Sequence, residues 1–114
     1  MKILSIHAHA DDFEFVASGT FELWRRKLNS DLQARVLVCT DGQAGHHFRP
    51  REETMKMRMV EQEASARAGR YEARFLRYPN GEIPREACLQ VSTPLLAALW
   101  KEIREFEPDY IFAP

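Results

Sequence analysis

Cysteine is scarce in this sequence: Cys39 and Cys88 are the only two, and they lie far apart. That excludes a disulfide framework and makes a reducing cytoplasm the expected setting. An excess of charge of one sign is also missing. Lys and Arg number 16 against 17 Asp and Glu, for a formal net charge of -1. No electrostatic footprint for nucleic acid or an anionic membrane follows from that balance. No apolar run approaches the roughly 20 residues of a bilayer span. The N-terminus enters an apolar strand directly, with no signal-peptide pattern. Repeats, linkers and low-complexity segments are absent, and no G-x-G-x-x-G follows the first strand, which argues against a dinucleotide site.

What is present is an ordinary globular composition: 45% hydrophobic and 29% charged over 114 residues. Such a chain makes one domain at most and buries roughly two-thirds of its unfolded surface. Hydrophobic periodicity gives the order strand, helix, strand, helix, strand, helix, strand. Lys2–His7 is the first strand. A helix follows from Glu14 to Leu28, with Phe15, Gly19 and Leu23 on one face and Val16 and Trp24 beside it. Arg25, Arg26 and Lys27 complement its dipole. Ala34–Cys39, apolar almost throughout, suits a parallel strand buried on both faces, with Cys39 as a buried thiol. The second helix spans Glu52–Ala68, with Met55, Met59, Val60, Ala64 and Ala68 as its apolar side and Gly69 as C-cap. Arg74–Tyr78 is the third strand, and Pro79-Asn80-Gly81 is a turn. Thr93 and Pro94 open a third helix with Leu95, Leu99, Ile103 and Phe106 on one face. Trp24 and Trp100 fall on helix faces and are expected in the core. Asp109–Ala113 is the fourth strand.

Strands alternating with helices imply right-handed crossovers and an α/β fold, a Rossmann-like three-layer parallel sheet with helices on both faces. In the order 3-2-1-4 the fourth strand lies beside the first and leaves an apolar open edge. The expectation is a chain truncated after the fourth strand, or a partner over that edge, which a homo-oligomer would supply. The gap between strands 1 and 4 is the topological switch point, where ligands bind.

The stretch His7-Ala8-His9-Ala10-Asp11-Asp12-Phe13-Glu14 sits at that point, in the turn between the first strand and the first helix. His9 and Asp12 supply a neutral nitrogen and an anionic oxygen, both good zinc donors. Asp11, between them, is placed to take a proton from water activated by such an ion. The competing reading is that Asp11 or Asp12 caps the following helix.

Ala8-His9-Ala10-Asp11-Asp12 resembles the Ala-His-Pro-Asp-Asp-Glu signature of the LmbE/PIG-L family of zinc-dependent N-deacetylases. Ala10 replaces the usual proline and Phe13 the usual glutamate. The resemblance implies Zn2+ held by His9 and Asp12, with Asp11 as general base. Thr40-Asp41-Gly42-Gln43-Ala44-Gly45 resembles the family's Thr-Asp-Gly-Glu-x-Gly loop, with Gln43 in place of glutamate, lining the same pocket. For Asp41 the favoured reading is a turn residue bonding the backbone. Arg58 and Glu61 resemble the family's Arg-x-x-Glu, which implies that Arg58 reaches the substrate; a surface ion pair is the competing reading. Asn80 stands where the family commonly has aspartate, as a contact to a sugar hydroxyl or a plain turn residue.

Catalytic zinc takes three protein ligands. In the family the third is a histidine in a loop after the fourth strand, which lies beyond Pro114. Residues 1–114 then form the N-terminal portion of a single LmbE-like domain. His46 or His47 is a stand-in candidate, against the reading of solvated surface histidines. His7 reads as a satisfied core histidine. The implied function is hydrolysis of a linear amide, removing acetyl from an N-acetylated amino sugar or similar small molecule. Two alternatives stand beside it. One is a phosphoacceptor receiver domain, which also carries an acidic pair after its first strand but needs a carboxylate at the end of strand 3. The other is a non-catalytic fragment of the deacetylase fold.

Overall fold

A computed structural model describes residues 1–114. The two most apolar segments form the central strands, β1 (Lys2–His7) and β2 (Gln33–Val38). β3 (Glu72–Phe75) and β4 (Tyr110–Phe112) flank them, in the order β3-β2-β1-β4 with every pair parallel. Ile3 pairs with both Ala34 and Tyr110, which sets the register across the sheet. This is the expected α/β architecture. A receiver-type sheet runs 2-1-3-4-5, so the observed order sets that alternative aside.

Alternation along the strands divides the core into two layers. Ile3, Val36 and Val38 point to one face, while Leu4, Leu37 and Cys39 point to the other. α1 (Asp12–Val16) and α2 (Ser18–Leu28) cover the first face with Phe13, Ala17, Phe21, Trp24 and Leu28. α3 (Arg51–Gly69) joins the same side, its Gln62 bonded to Tyr71 just past the helix end, whose ring stands edge-on to Phe13 at 4.7 Å. α4 (Thr93–Phe106) covers the second face with Leu95, Ala98, Leu99, Ile103 and Phe106. None of these helices is long and apolar enough to cross a membrane.

Several local expectations are corrected. The first helix begins at Asp12 and breaks at Ala17, where φ is -130°. The buried stripe is therefore Phe13, Ala17, Phe21, Trp24 and Leu28, while Phe15 is 85% exposed and Val16, Gly19 and Leu23 also face solvent. On α3 the buried positions are Thr54, Gln62 and Ala66. Met55 and Met59 are only half-buried, and Val60, Ala64 and Ala68 are exposed. The reason is that α3 packs against polar loops and the Glu14 carboxylate as well as the sheet. Gly69 stays helical, and Arg70, at φ 56°, takes the left-handed C-cap. Ser92 rather than Thr93 is the N-cap of α4, its Oγ accepting from the Leu95 N–H at 3.2 Å. Trp24 packs half-buried between Phe21 and Phe112, but Trp100 is exposed. Arg25 is not a free complement to the helix dipole. It is buried, and its guanidinium donates to the carbonyls of Asn29, Leu32 and Arg70, stapling the end of α2 to the start of β2.

Cys39 is buried as expected, and desolvation pushes its thiol up to about 11. Cys88 is exposed. A disulfide-type thiol reagent should therefore label Cys88 alone in the native chain; rapid labelling of both thiols would contradict the buried placement. A raised folded pKa gives stability that is complete below the ordinary value of 9.0 and lost as pH rises through about 11. Cys39→Ala should flatten that alkaline fall in melting temperature.

Candidate active site

Three loops meet at the carboxyl ends of the strands. The first, after β1, carries His9, Asp11 and Asp12. Asp12 opens α1 and turns its carboxylate back, so that Oδ2 accepts the His9 N–H at 3.0 Å. The same Oδ2 lies 3.5 Å from His9 Nδ1. Both side chains are open to solvent, at 48% and 37% exposure. Asp11 occupies the N-cap position with φ 79° and ψ -20°, but its side chain makes no cap bond. A left-handed backbone at a non-glycine residue costs roughly 1–2 kcal/mol, and such outliers cluster at functional sites. The capping reading of Asp11 is thus not realised; its carboxylate faces a cleft of about 160 Å³ shared with Glu14, Arg58, Glu61 and Gln62.

The second loop, Thr40–Gly45, is clamped to the first. Thr40 Oγ1 donates to the carbonyl of Ala8 at 2.7 Å, just before His9. Asp41 is 4% exposed and bonds backbone, as its turn reading expected. Its Oδ1 accepts from the Gln43 N–H at 3.1 Å and the Glu86 N–H at 3.1 Å. Gln43 spends its own amide on Asp41 Oδ2. Gly42 has φ 71°, and a Cβ there would meet Arg58 Cγ at 3.0 Å. The glycine is needed both for its backbone and for the notch that receives the arginine stem.

Arg58 pairs with Glu61 at 3.0 Å, the ion pair of its competing reading, and also lines the Asp11 cleft. Asn80 lies in an exposed turn, and its Oδ1 accepts from the Glu82 N–H at 2.9 Å. His7 is a satisfied core histidine: Nε2 meets Ser5 Oγ at 2.7 Å, and burial holds its pKa below the usual 6.5. His46 turns Nδ1 inward to accept from the N–H groups of Phe48 and Arg49. No group of three or more His, Cys, Asp or Glu side chains converges to hold an ion, so neither His46 nor His47 completes a site. By donor chemistry the His9 imidazole and Asp12 carboxylate fit a borderline divalent ion, which takes three protein ligands at a catalytic site.

Two residues escaped the sequence reading. Glu14 accepts from Gln62 Nε2 at 3.0 Å and lies 3.2 Å from Tyr71 Oη, leaving Oε2 buried and unpartnered. Glu86, from the third loop, places Oε1 3.9 Å from His9 Nε2. No periodicity or spacing marks Glu86, since only the fold brings it to His9.

Fold and side chains together define a doubly wound α/β protein with an imidazole–carboxylate site at its switch point. The sequence pattern of the PIG-L: GlcNAc-PI de-N-acetylase family matches residues 4–114, and the chain belongs to that family. Among solved structures it is similar to N,N'-diacetylchitobiose deacetylase from Pyrococcus horikoshii, at 29% identity and a TM-score of 0.83, over 99% of this chain and 40% of that one. It also shares its fold with a deacetylase of the teicoplanin biosynthesis pathway, at 15% identity and 0.70, over 99% and 54%. GalB, the 4-carboxy-2-hydroxymuconate hydratase of Pseudomonas putida, shares the fold at 17% identity and 0.75, over 96% and 45%. The chain thus spans about half or less of the length of these structures. No curated protein sequence matches it.

The Gly42 notch is open to test. Gly42→Ala should destabilise the chain by about 1–2 kcal/mol from backbone strain, plus the cost of moving Arg58. In an Arg58→Ala background that second part should shrink, as read by urea unfolding of all four variants in the cycle. Equal penalties in both backgrounds would mean that Arg58 does not fill the notch.

Proposed function

We propose that the chain carries the catalytic turn of a zinc-dependent N-deacetylase that hydrolyses a linear amide on an N-acetylated amino sugar. The observation that carries this is the first turn itself: His9 and Asp12 donors 3.5 Å apart, beside an Asp11 carboxylate that caps nothing and faces Arg58 across a cleft. Family membership supports the reaction class. The printed activity of the Pyrococcus horikoshii relative supports an acetylated sugar as substrate.

In this reading His9 and Asp12 hold the ion, with a third donor from outside residues 1–114. Bound there, zinc supplies a Lewis acid that polarises the amide carbonyl and makes a nearby water more acidic. Asp11 accepts the proton of the attacking water as it adds to the carbonyl carbon. The left-handed backbone at Asp11 keeps that carboxylate off the helix N-terminus, where it would otherwise be occupied by capping. Arg58, its stem seated on Gly42 and its guanidinium against Gly45, presents the donors that Glu61 leaves free to polar groups of the substrate. Gln43 and Asn80 are the amide contacts to sugar hydroxyls once their present partners yield. Residues 1–114 then form the N-terminal portion of one domain, and two unpaired thiols suit a reducing cytoplasm.

Metal content by elemental mass spectrometry tests the ligands. Asp12→Ala should lose the zinc, and zinc retained in that variant would remove Asp12 from the ligand set. Asp11→Ala should keep zinc yet lower turnover of an N-acetylated amino sugar by about 100- to 10,000-fold. Loss of metal in Asp11→Ala would instead make Asp11 a ligand. Arg58→Ala should raise KM with folding intact; an unchanged KM would leave Arg58 only its ion pair with Glu61.

A further inference from the structure

We propose that Glu86 is the positioning residue for His9: its carboxylate holds the proton on Nε2, so that Nδ1 offers its lone pair to the opening shared with Asp12. The inference rests on the zinc reading above for its purpose, but not for its test.

The Glu86 carboxylate is placed from several sides. Its Oε2 accepts the Ala44 N–H at 2.8 Å. The Glu86 N–H is held by Asp41 Oδ1, and the Asp41 N–H donates to the carbonyl of Pro84 at 3.0 Å. With 17% of its side chain exposed, Glu86 is more enclosed than either His9 or Asp12. The free oxygen, Oε1, then faces His9 Nε2 at 3.9 Å. That is about 1 Å longer than a hydrogen bond, so the proposed bond requires the exposed imidazole to turn toward Glu86.

The ring's two nitrogens face different carboxylates. Nδ1 looks toward Asp12 Oδ2 and Nε2 toward Glu86 Oε1. A neutral imidazole has one N–H to give, and a carboxylate can only accept. The two carboxylates therefore compete for one proton. Asp12 Oδ2 already accepts the His9 backbone N–H, whereas Glu86 Oε1 has no other donor. The proton on Nε2 satisfies Glu86 and leaves Nδ1 as a donor pair beside Asp12. Without Glu86 the proton moves to Nδ1, bonds Asp12, and blocks both atoms. Because the nitrogens diverge, one ion cannot sit on both, so Glu86 acts through His9 and not as a ligand beside Asp12. A carboxylate behind a ligating histidine fixes its tautomer and raises its basicity.

The experiment is two-bond proton–nitrogen correlation spectroscopy of the metal-free, nitrogen-labelled chain, with the His9 signals assigned through His9→Gln. The expected wild-type pattern is the Nε2–H tautomer. Glu86→Ala should shift His9 toward Nδ1–H, and Glu86→Gln, whose amide oxygen still accepts, should restore Nε2–H. Titration with zinc chloride should show Glu86→Ala binding about 10- to 100-fold more weakly than wild type. A wild-type Nδ1–H tautomer, or an unchanged tautomer in a folded Glu86→Ala chain, overturns the proposal and leaves Glu86 a loop clasp. If Glu86→Ala fails to fold, Glu86→Met, similar in length but without a strong acceptor, takes its place. Wild-type chain that shows the expected tautomers without binding zinc keeps the positioning role and places the missing donor outside residues 1–114.

Discussion

Everything at the active end of this sheet depends on one buried carboxylate, that of Asp41. Parallel strands end in loops with no partner strand to hold them, so their backbone groups need side chains instead. Asp41 Oδ1 takes the N–H groups of Gln43 and Glu86, and its own N–H reaches the carbonyl of Pro84. Thr40, one residue earlier, ties the Ala8 carbonyl down. Two adjacent residues thus bind the loops after β1, β2 and β3 into one unit. Their polar atoms are satisfied internally, which is what makes burial of a carboxylate tolerable. Removing either would leave buried donors or acceptors without partners, and the geometry around His9 would loosen with them.

A second polar layer lies under α3. Gln62, Tyr71, Ser65 and Glu14 are joined by bonds of 2.9–3.2 Å. Burial pushes the Tyr71 hydroxyl up to about 12, so it remains a neutral donor throughout the physiological range. This network explains why a long helix buries glutamine where apolar residues were expected; Thr54, at its start, instead donates to the Pro50 carbonyl. The face toward the sheet's carboxyl end serves a polar cleft, and the apolar residues of α3 are displaced to its flank. That face places Arg58 beside Asp11 and Glu14 in the cleft.

The fold itself does not choose the chemistry. A hydratase and two deacetylases share it with this chain, as expected when function resides in a site set on a common scaffold. In this chain the chemistry-bearing groups sit in the turn after β1, with its left-handed Asp11, and in the loops that Asp41 gathers around it. The family match over residues 4–114 takes in that turn and all three loops.

The sequence alone determined the alternation of strands and helices, the parallel sheet and the 3-2-1-4 order. The alternation follows from short-range periodicity, which a strand or helix carries whatever surrounds it; the parallel sheet follows from that alternation and the order from the doubly wound pattern. It also marked His9, Asp11 and Asp12, because one tight turn holds all three. The burial of Cys39 and the core role of His7 were legible for a similar reason: both lie on the apolar central strands. The tertiary structure decided the rest. The buried face of the first helix turned on the break at Ala17 and the backbone at Asp11, neither of which leaves a periodic signal. The polar face of α3, the exposure of Trp100 and the triple staple made by Arg25 depend on which segments meet. Glu86 is the sharpest case. It belongs to an irregular loop far along the chain from His9, and only the closing of three loops at the carboxyl edge of a parallel sheet brings the two together.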